Sequence, residues 1–231
     1  MPGERLESVT PSEYDRRVAR ACEQCGGPLA LMARAHTVTC SPRCRKARSR
    51  ARKTTLPAEL TTRDRWVRRS SAKIPLTTAG MAASSTDPRT WSTHKDAADS
   101  KAGVGLGFVL SDVDDVVCID LDHCLNPLTG RLAPWAAAIL RDAGTTYVEV
   151  SPSGDGLHIW GRADVRQGRR IRYPDGTAVE IYGTGRYIAM TGRRHGHPPS
   201  LLGNVSAVVS ALTRAPNGDS YAAPPGSGTH R

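Results

Sequence analysis

The chain has 231 residues, room for one mid-sized domain and a small accessory module. Its 32 Lys and Arg against 22 Asp and Glu leave a formal net charge of +10, which points to an acidic partner, nucleic acid first. No apolar run approaches the ~20 residues of a membrane helix, and residues 1–20 lack the apolar segment of a secretion signal, which excludes an integral membrane protein and argues against export. Aromatic residues make up 5% with a single Phe, so the core is expected to be mostly Val, Ile, Leu and Ala. In chain order, Thr10, Pro11 and Glu13 read as N-cap, first-turn proline and capping-box partner of a helix to about Ala21. Residues 22–53 form a Cys-rich basic module. Residues 54–103 mix Thr, Ser, Pro and Gly and read from composition as a linker merging into the main domain.

From there the pattern is β-rich. Val104–Leu110 and Val116–Leu121 are predicted strands joined by an acidic turn at residues 111–115. Pro134–Ala143 is a predicted helix, with Pro at its start and Gly144 just after it. Tyr147–Val150 and Leu157–Trp160 are strands around a Ser/Gly loop, and Ala178–Tyr182 and Arg186–Met190 are two more around Gly183-Thr184-Gly185. A last helix covers Val205–Leu212. The order β-β-α-β-β-β-β-α implies an α+β domain with a mainly antiparallel sheet. Residues 214–231, rich in Pro and Gly, are expected to be a disordered tail.

Charge is concentrated early: residues 1–70 hold 16 Lys and Arg against 7 Asp and Glu. The densest stretch is Arg45, Lys46, Arg48, Arg50, Arg52 and Lys53. It reads as a solvated helix end or as a site for nucleic-acid phosphates, where each neutralised phosphate releases counterions. Just before it, Cys22-x-x-Cys25 and Cys40-x-x-x-Cys44 are two close thiolate pairs, the spacing that suits tetrahedral Zn²⁺. Ser41-Pro42 looks like a helix start that would put Cys44 in the first turn. The module resembles a treble-clef or zinc-ribbon finger. That it touches nucleic acid rests on the adjacent charge alone, since many such fingers bind protein.

Strand parity isolates a second set of residues. In Ile119-Asp120-Leu121-Asp122 the two carboxylates share one face and the two aliphatic side chains the other. Like charges so placed repel, and divalent cations remove that cost; Mg²⁺ or Mn²⁺ held by shared carboxylates can activate a hydroxyl and neutralise a leaving pyrophosphate. The same parity isolates Glu180 from Val179 and Ile181, and His158 from Leu157 and Ile159. The loop Ser153-Gly154-Asp155-Gly156 leads into His158; its glycines let backbone N–H groups approach an anion, and Ser153 offers a hydroxyl. Taken singly, each stretch also reads as a turn or as a core residue with a partner. Cys118 and Cys124 read as packing residues, and His123 has no assigned role.

Asp120-Leu-Asp122, Ser153-Gly-Asp-Gly-Leu-His158 and Glu180 occur in the order of the three motifs of archaeo-eukaryotic-type primases. With Arg65-Trp66, Lys73-Ile-Pro75, Gly105-Leu-Gly-Phe108, Tyr147-Val-Glu-Val-Ser-Pro-Ser-Gly154 and Arg186-Tyr-Ile-Ala-Met-Thr-Gly192, the chain most resembles the bifunctional primase/polymerase domains of phages and plasmids, over residues 62–213. The resemblance implies an RRM-like catalytic sheet packed with an N-terminal α/β unit, which takes residues 62–103 into the fold and leaves 54–61 as the linker. It implies Asp120, Asp122 and Glu180 as Mg²⁺ or Mn²⁺ ligands; Glu180 stands where many relatives carry Asp. It implies His158 and Ser153, with Gly154 and Gly156, as the hold on an NTP or dNTP, and Lys73 and Arg186 as contacts to triphosphate or template. Single-stranded DNA would be the template. No G-x-x-x-x-G-K-[ST] occurs, so the chain would use a separately encoded helicase or act without one. The expected setting is the cytoplasm of a bacterial or phage-infected cell. A catalytically inactive zinc-finger DNA-binding accessory protein and a metal-dependent nuclease are the alternatives.

Overall fold

The computed structural model describes residues 21–22, 25, 27–30, 32–34, 37–46, 56–172 and 177–214. The chain divides into two compact units, Met1–Thr54 and Thr55–Arg231. The predicted N-terminal helix, Arg48, Arg50, Arg52, Lys53 and the predicted tail after Arg214 lie outside the described residues.

In the first unit, residues 42–46 are helical and Arg45 and Lys46 are exposed. The Ser41 hydroxyl accepts the Cys44 N–H at 3.1 Å, the N-cap that the Ser-Pro start implies.

The second unit starts earlier than its composition suggests. Residues 56–61, expected in the linker, are packed: Ala58–Thr61 is a short helix (α1), and Leu56 and Leu60 are buried. Two aliphatic side chains in this polar stretch are enough to draw it onto the domain. The rest of the supposed Thr/Ser/Pro/Gly linker carries β1 (Trp66–Arg69), β2 (Pro75–Leu76) and α2 (His94–Asp99). Thr93 caps α2, its hydroxyl accepting the Asp96 N–H at 3.0 Å.

Next come β3 (Gly105–Leu110), β4 (Val116–Asp122), α3 (Pro134–Ala143), β5 (Tyr147–Val150), β6 (Leu157–Arg162) and β7 (Arg169–Arg172). They are followed by β8 (Ala178–Tyr182), β9 (Arg186–Met190), β10 (Gly203–Asn204) and α4 (Ser206–Arg214). The strands and helices predicted from residue 104 onward are all present, and the α+β class with mainly antiparallel pairing holds. The structure adds β7, whose Arg-Arg-Ile-Arg sequence lacks apolar alternation, and the two-residue β10, which pairs parallel with β6.

A four-stranded antiparallel sheet has the order β2-β1-β3-β9. A second sheet runs β10-β6-β4-β8-β7, with β5 also pairing β6. One face of this larger sheet, carrying Ile119, Leu121, Ile159, Val179 and Ile181, packs with Ile139 of α3 and Val208 and Leu212 of α4 in a core that is aliphatic apart from Trp135 and Cys124. The other core departs from the composition-based expectation. Trp66, Phe108, Tyr147 and Trp160 are all fully buried in it. Trp66 meets Phe108 at 5.3 Å and Phe108 meets Trp160 at 5.9 Å, both edge-on. The scarce aromatics are thus spent at the junction of the two sheets, where large rigid rings span the gap.

Candidate active site

The register of the larger sheet decides which side chains meet. Asp120 of β4 lies opposite His158 of β6 on one side and Glu180 of β8 on the other. His158 in turn lies opposite Glu149 of β5, and Glu180 opposite Arg170 of β7. Five strands therefore place Glu149, His158, Asp120, Glu180 and Arg170 in one row on one face. The neighbouring row on that face is Tyr147, Trp160, Cys118 and Tyr182, the wall it shares with the aromatic core. Charge is set directly against apolar packing, and the cost of ionisation rises there.

A cavity of about 540 Å³ opens over this row. Asp120, Asp122, His158 and Glu180 line it, with Lys73, Arg186 and Tyr187 from the smaller sheet and its β1–β2 turn. Six of the residues singled out in the sequence thus share one cavity. The Ser153–Gly156 loop is represented in the lining by its neighbour Pro152. Burial pushes the Asp120 carboxyl up to about 6; His158 opposes the rise, and Asp122 and Glu180 add to it. One Asp120 oxygen, Oδ1, is buried without a hydrogen bond and lies 3.6 Å from His158 Nε2. A hard, underpartnered oxygen among carboxylates is a donor set that fits a divalent cation. The three carboxylates do not close into a tight ligand cluster. Glu180 is turned to Arg170, whose Nε lies 2.6 Å from Oε1, while the Tyr182 hydroxyl donates to Oε2.

The loop before His158 is built from its own side chains. Gly154 has φ +93°, a conformation that L side chains rarely adopt. At Gly156 a Cβ would lie 2.7 Å from the Leu121 carbonyl oxygen, so only glycine lets the loop close on β4. The Ser151 and Ser153 hydroxyls are 2.8 Å apart, and Ser153 donates to Asp155. His123, given no role in the sequence, sits at φ +54° with Nδ1 2.7 Å from Asp155 Oδ2, tying the turn after β4 to the loop. That hydrogen bond also raises the His123 pKa. Cys118 and Cys124 are buried packing residues, as expected.

Glu149 and Arg170 are the members of the row that the sequence reading passed over. Glu149 carried the signal that exposed Asp120, a lone polar residue between Val148 and Val150. Arg170 carried none, because its strand is a basic run without alternation.

In the first unit, Cys22, Cys25, Cys40 and Cys44 bring their sulfurs within 4.8 Å of one another, the one such group of metal-ligating side chains among the described residues. Cys40 Sγ lies 3.6 Å from both Cys25 Sγ and Cys44 Sγ. Tetrahedral zinc with bonds of about 2.3 Å sets its sulfurs roughly 3.8 Å apart, so the four cysteines fit the ion.

Comparison with known proteins agrees with the geometry. The family model described as "Bifunctional DNA primase/polymerase, N-terminal" matches residues 29–217. A "DNA Primase-polymerase" of Nitratiruptor phage NrS-1 is 39% identical over 136 residues, covering 55% of this chain and 18% of the relative. The chain therefore spans less than a fifth of that relative's length.

Proposed function

The chain belongs to the bifunctional DNA primase/polymerase family, and from that premise we propose that residues 62–213 carry a template-directed nucleotidyltransferase serving replication of phage, plasmid or other mobile DNA. The observation that carries the reading is the charged row under one cavity, with three carboxylates and a histidine on adjacent strands facing two cations across it.

The acceptor is a primer 3′-hydroxyl, or the hydroxyl of a first nucleotide when a strand is started. It attacks the α-phosphorus of an NTP or dNTP in line; an O–P bond forms, the bond to pyrophosphate breaks and the hydroxyl proton leaves to solvent. Asp120, Asp122 and Glu180 would hold Mg²⁺ or Mn²⁺, which supplies charge neutralisation of the pyrophosphate and a more acidic hydroxyl. His158 and the Ser153–Gly156 loop hold the triphosphate from the larger sheet. Lys73 and Arg186 meet its charge from the opposite wall. Arg170 sets Glu180, and the aromatic wall keeps the floor of the cavity dry enough for these charges to act strongly. Cys22, Cys25, Cys40 and Cys44 would hold zinc as a structural ion in the first unit, whose exposed basic residues Arg45 and Lys46 hold single-stranded template by its phosphates.

Equilibrium binding of a labelled dNTP tests the site. Wild type is expected to bind in the presence of Mn²⁺, and Asp120→Asn to weaken that metal-dependent binding at least tenfold. DNA binding without any metal-dependent nucleotide affinity in the wild type would instead make the chain an accessory DNA-binding protein.

A further inference from the structure

Glu149 is a fully buried carboxylate, and nothing in the reaction just described uses it. Its Oε2 accepts the Gly192 N–H at 2.8 Å, the Thr191 N–H at 3.1 Å and the Tyr147 hydroxyl at 3.3 Å. Its Oε1 accepts the Thr191 N–H at 3.2 Å and faces His158 Nδ1, also at 3.2 Å. Two backbone amides and a phenol would be satisfied by a neutral glutamine. A carboxylate buried at this depth is costly, and the remaining partner, the imidazole, is what a glutamine would serve differently.

The consequence for His158 follows from hydrogen-bond roles. An ionised carboxylate only accepts, so the ring nitrogen facing it must carry a proton. Nδ1 is thereby committed to Glu149, and Nε2 is the nitrogen turned to Asp120 and the cavity. The ring is also fixed in place, because Glu149 is itself locked by the amides that follow β9. We propose that Glu149 is a positioning residue that fixes the orientation of His158 by accepting its Nδ1–H, so that Nε2, as N–H in the doubly protonated ring, is the nitrogen that donates to the nucleotide phosphates. This rests on the reading of His158 as a phosphate contact. It makes the junction after β9 part of the nucleotide site, although neither Thr191 nor Gly192 lines the cavity.

The rival is a purely structural clamp joining residues 191–192 to β5, and Glu149→Gln separates the two. Its amide oxygen can still accept from Gly192 and Thr191, while its NH₂ faces His158 Nδ1. In the full-length chain with Mn²⁺ and a dNTP, Glu149→Gln is expected to raise the nucleotide dissociation constant at least tenfold, with single-stranded DNA affinity unchanged. In a His158→Ala background the same change should cost little more, since Glu149 acts through that ring. Unchanged nucleotide affinity in Glu149→Gln, or a full tenfold penalty persisting without His158, would overturn the proposal. Ring ¹⁵N signals of His158 give an answer independent of nucleotide and of any variant's folding. The wild type should show a protonated Nδ1, and an unprotonated Nδ1 would sink the assignment. A wild type that binds no nucleotide yet shows that protonated Nδ1 would count against the polymerase reading while supporting the Glu149–His158 linkage.

Discussion

Asp114 and Asp120 show how neighbours decide what a carboxylate does. At Asp114 burial alone would raise the pKa, but hydrogen bonds and charge from Arg65 and then Arg63, both 2.6 Å away, hold it below the ordinary value of 3.8. Arg65 is itself buried, with its guanidinium 4.8 Å from the centre of the Phe108 ring. Asp114→Asn leaves that cation short of its counter-charge and is expected to cost about 2 kcal/mol, or roughly 4–8 °C in Tm for a domain of this size. The folded pKa lies below the unfolded one, so the ion pair's contribution is fully present above about 3.8 and is lost as pH falls through the folded value. Denaturant melts of both proteins should converge at the acid end; a gap that stays constant to pH 2 would contradict the assignment. At Asp120 no arginine arrives, and burial leaves the carboxyl at about 6, its buried Oδ1 without a hydrogen bond and facing His158 Nε2 at 3.6 Å. Alternation singled out Asp120, Asp122, His158 and Glu180 in the sequence, and in the structure all four line one cavity. Glu149 obeyed the same rule and was legible in principle.

Elements that alternate or carry caps were readable, and those shaped by tertiary contact were not. α3 declared both its ends through Pro134 and Gly144, and β5, β8 and β9 were bounded by turn residues. β7 is an edge strand whose charges guard an open ladder, so it lacks the apolar period that marks a strand. α1 is four residues long, and tertiary contact holds it: Leu56 and Leu60 are buried against the aromatic core, and the Trp66 indole N–H donates to the Leu60 carbonyl at 3.0 Å. The Ser153–Gly156 loop was legible as a glycine turn, but not its lock by His123 and Asp155, which depends on where β4 ends. The fit at Gly156 gives a prediction at this scale. A methyl group there must displace the loop from the Leu121 carbonyl, at a cost of about 1–3 kcal/mol. Gly156→Ala should therefore weaken dNTP binding about tenfold or more while the cooperative melt is retained, as calorimetry and nucleotide titration on the same sample can check. Nucleotide affinity within twofold of wild type would remove the loop from the site.

At the scale of the molecule the chain forms two compact units, and the sequence announced both through unlike signals: paired cysteines beside basic charge, then alternating strands. What it could not announce was the joining of the two sheets by Trp66, Phe108 and Trp160, since aromatics far apart in sequence say nothing of their meeting. Among the described residues no helix is long and apolar enough to cross a membrane. The four cysteines predict a metal content of about one zinc per chain after purification without added metal. Cys40→Ser should reduce that several-fold, and an unchanged zinc content in the variant would show that the ion is held elsewhere.

The most direct test of the central claim is synthesis on single-stranded DNA, with and without a primer, using labelled NTPs or dNTPs and Mg²⁺ or Mn²⁺, wild type beside Asp120→Ala. Wild type is expected to give template-dependent product, and the variant none while it melts normally and still binds DNA. Product without primer would establish initiation as well as extension. Equal synthesis by the two proteins would contradict the assignment of the charged row as the catalytic centre.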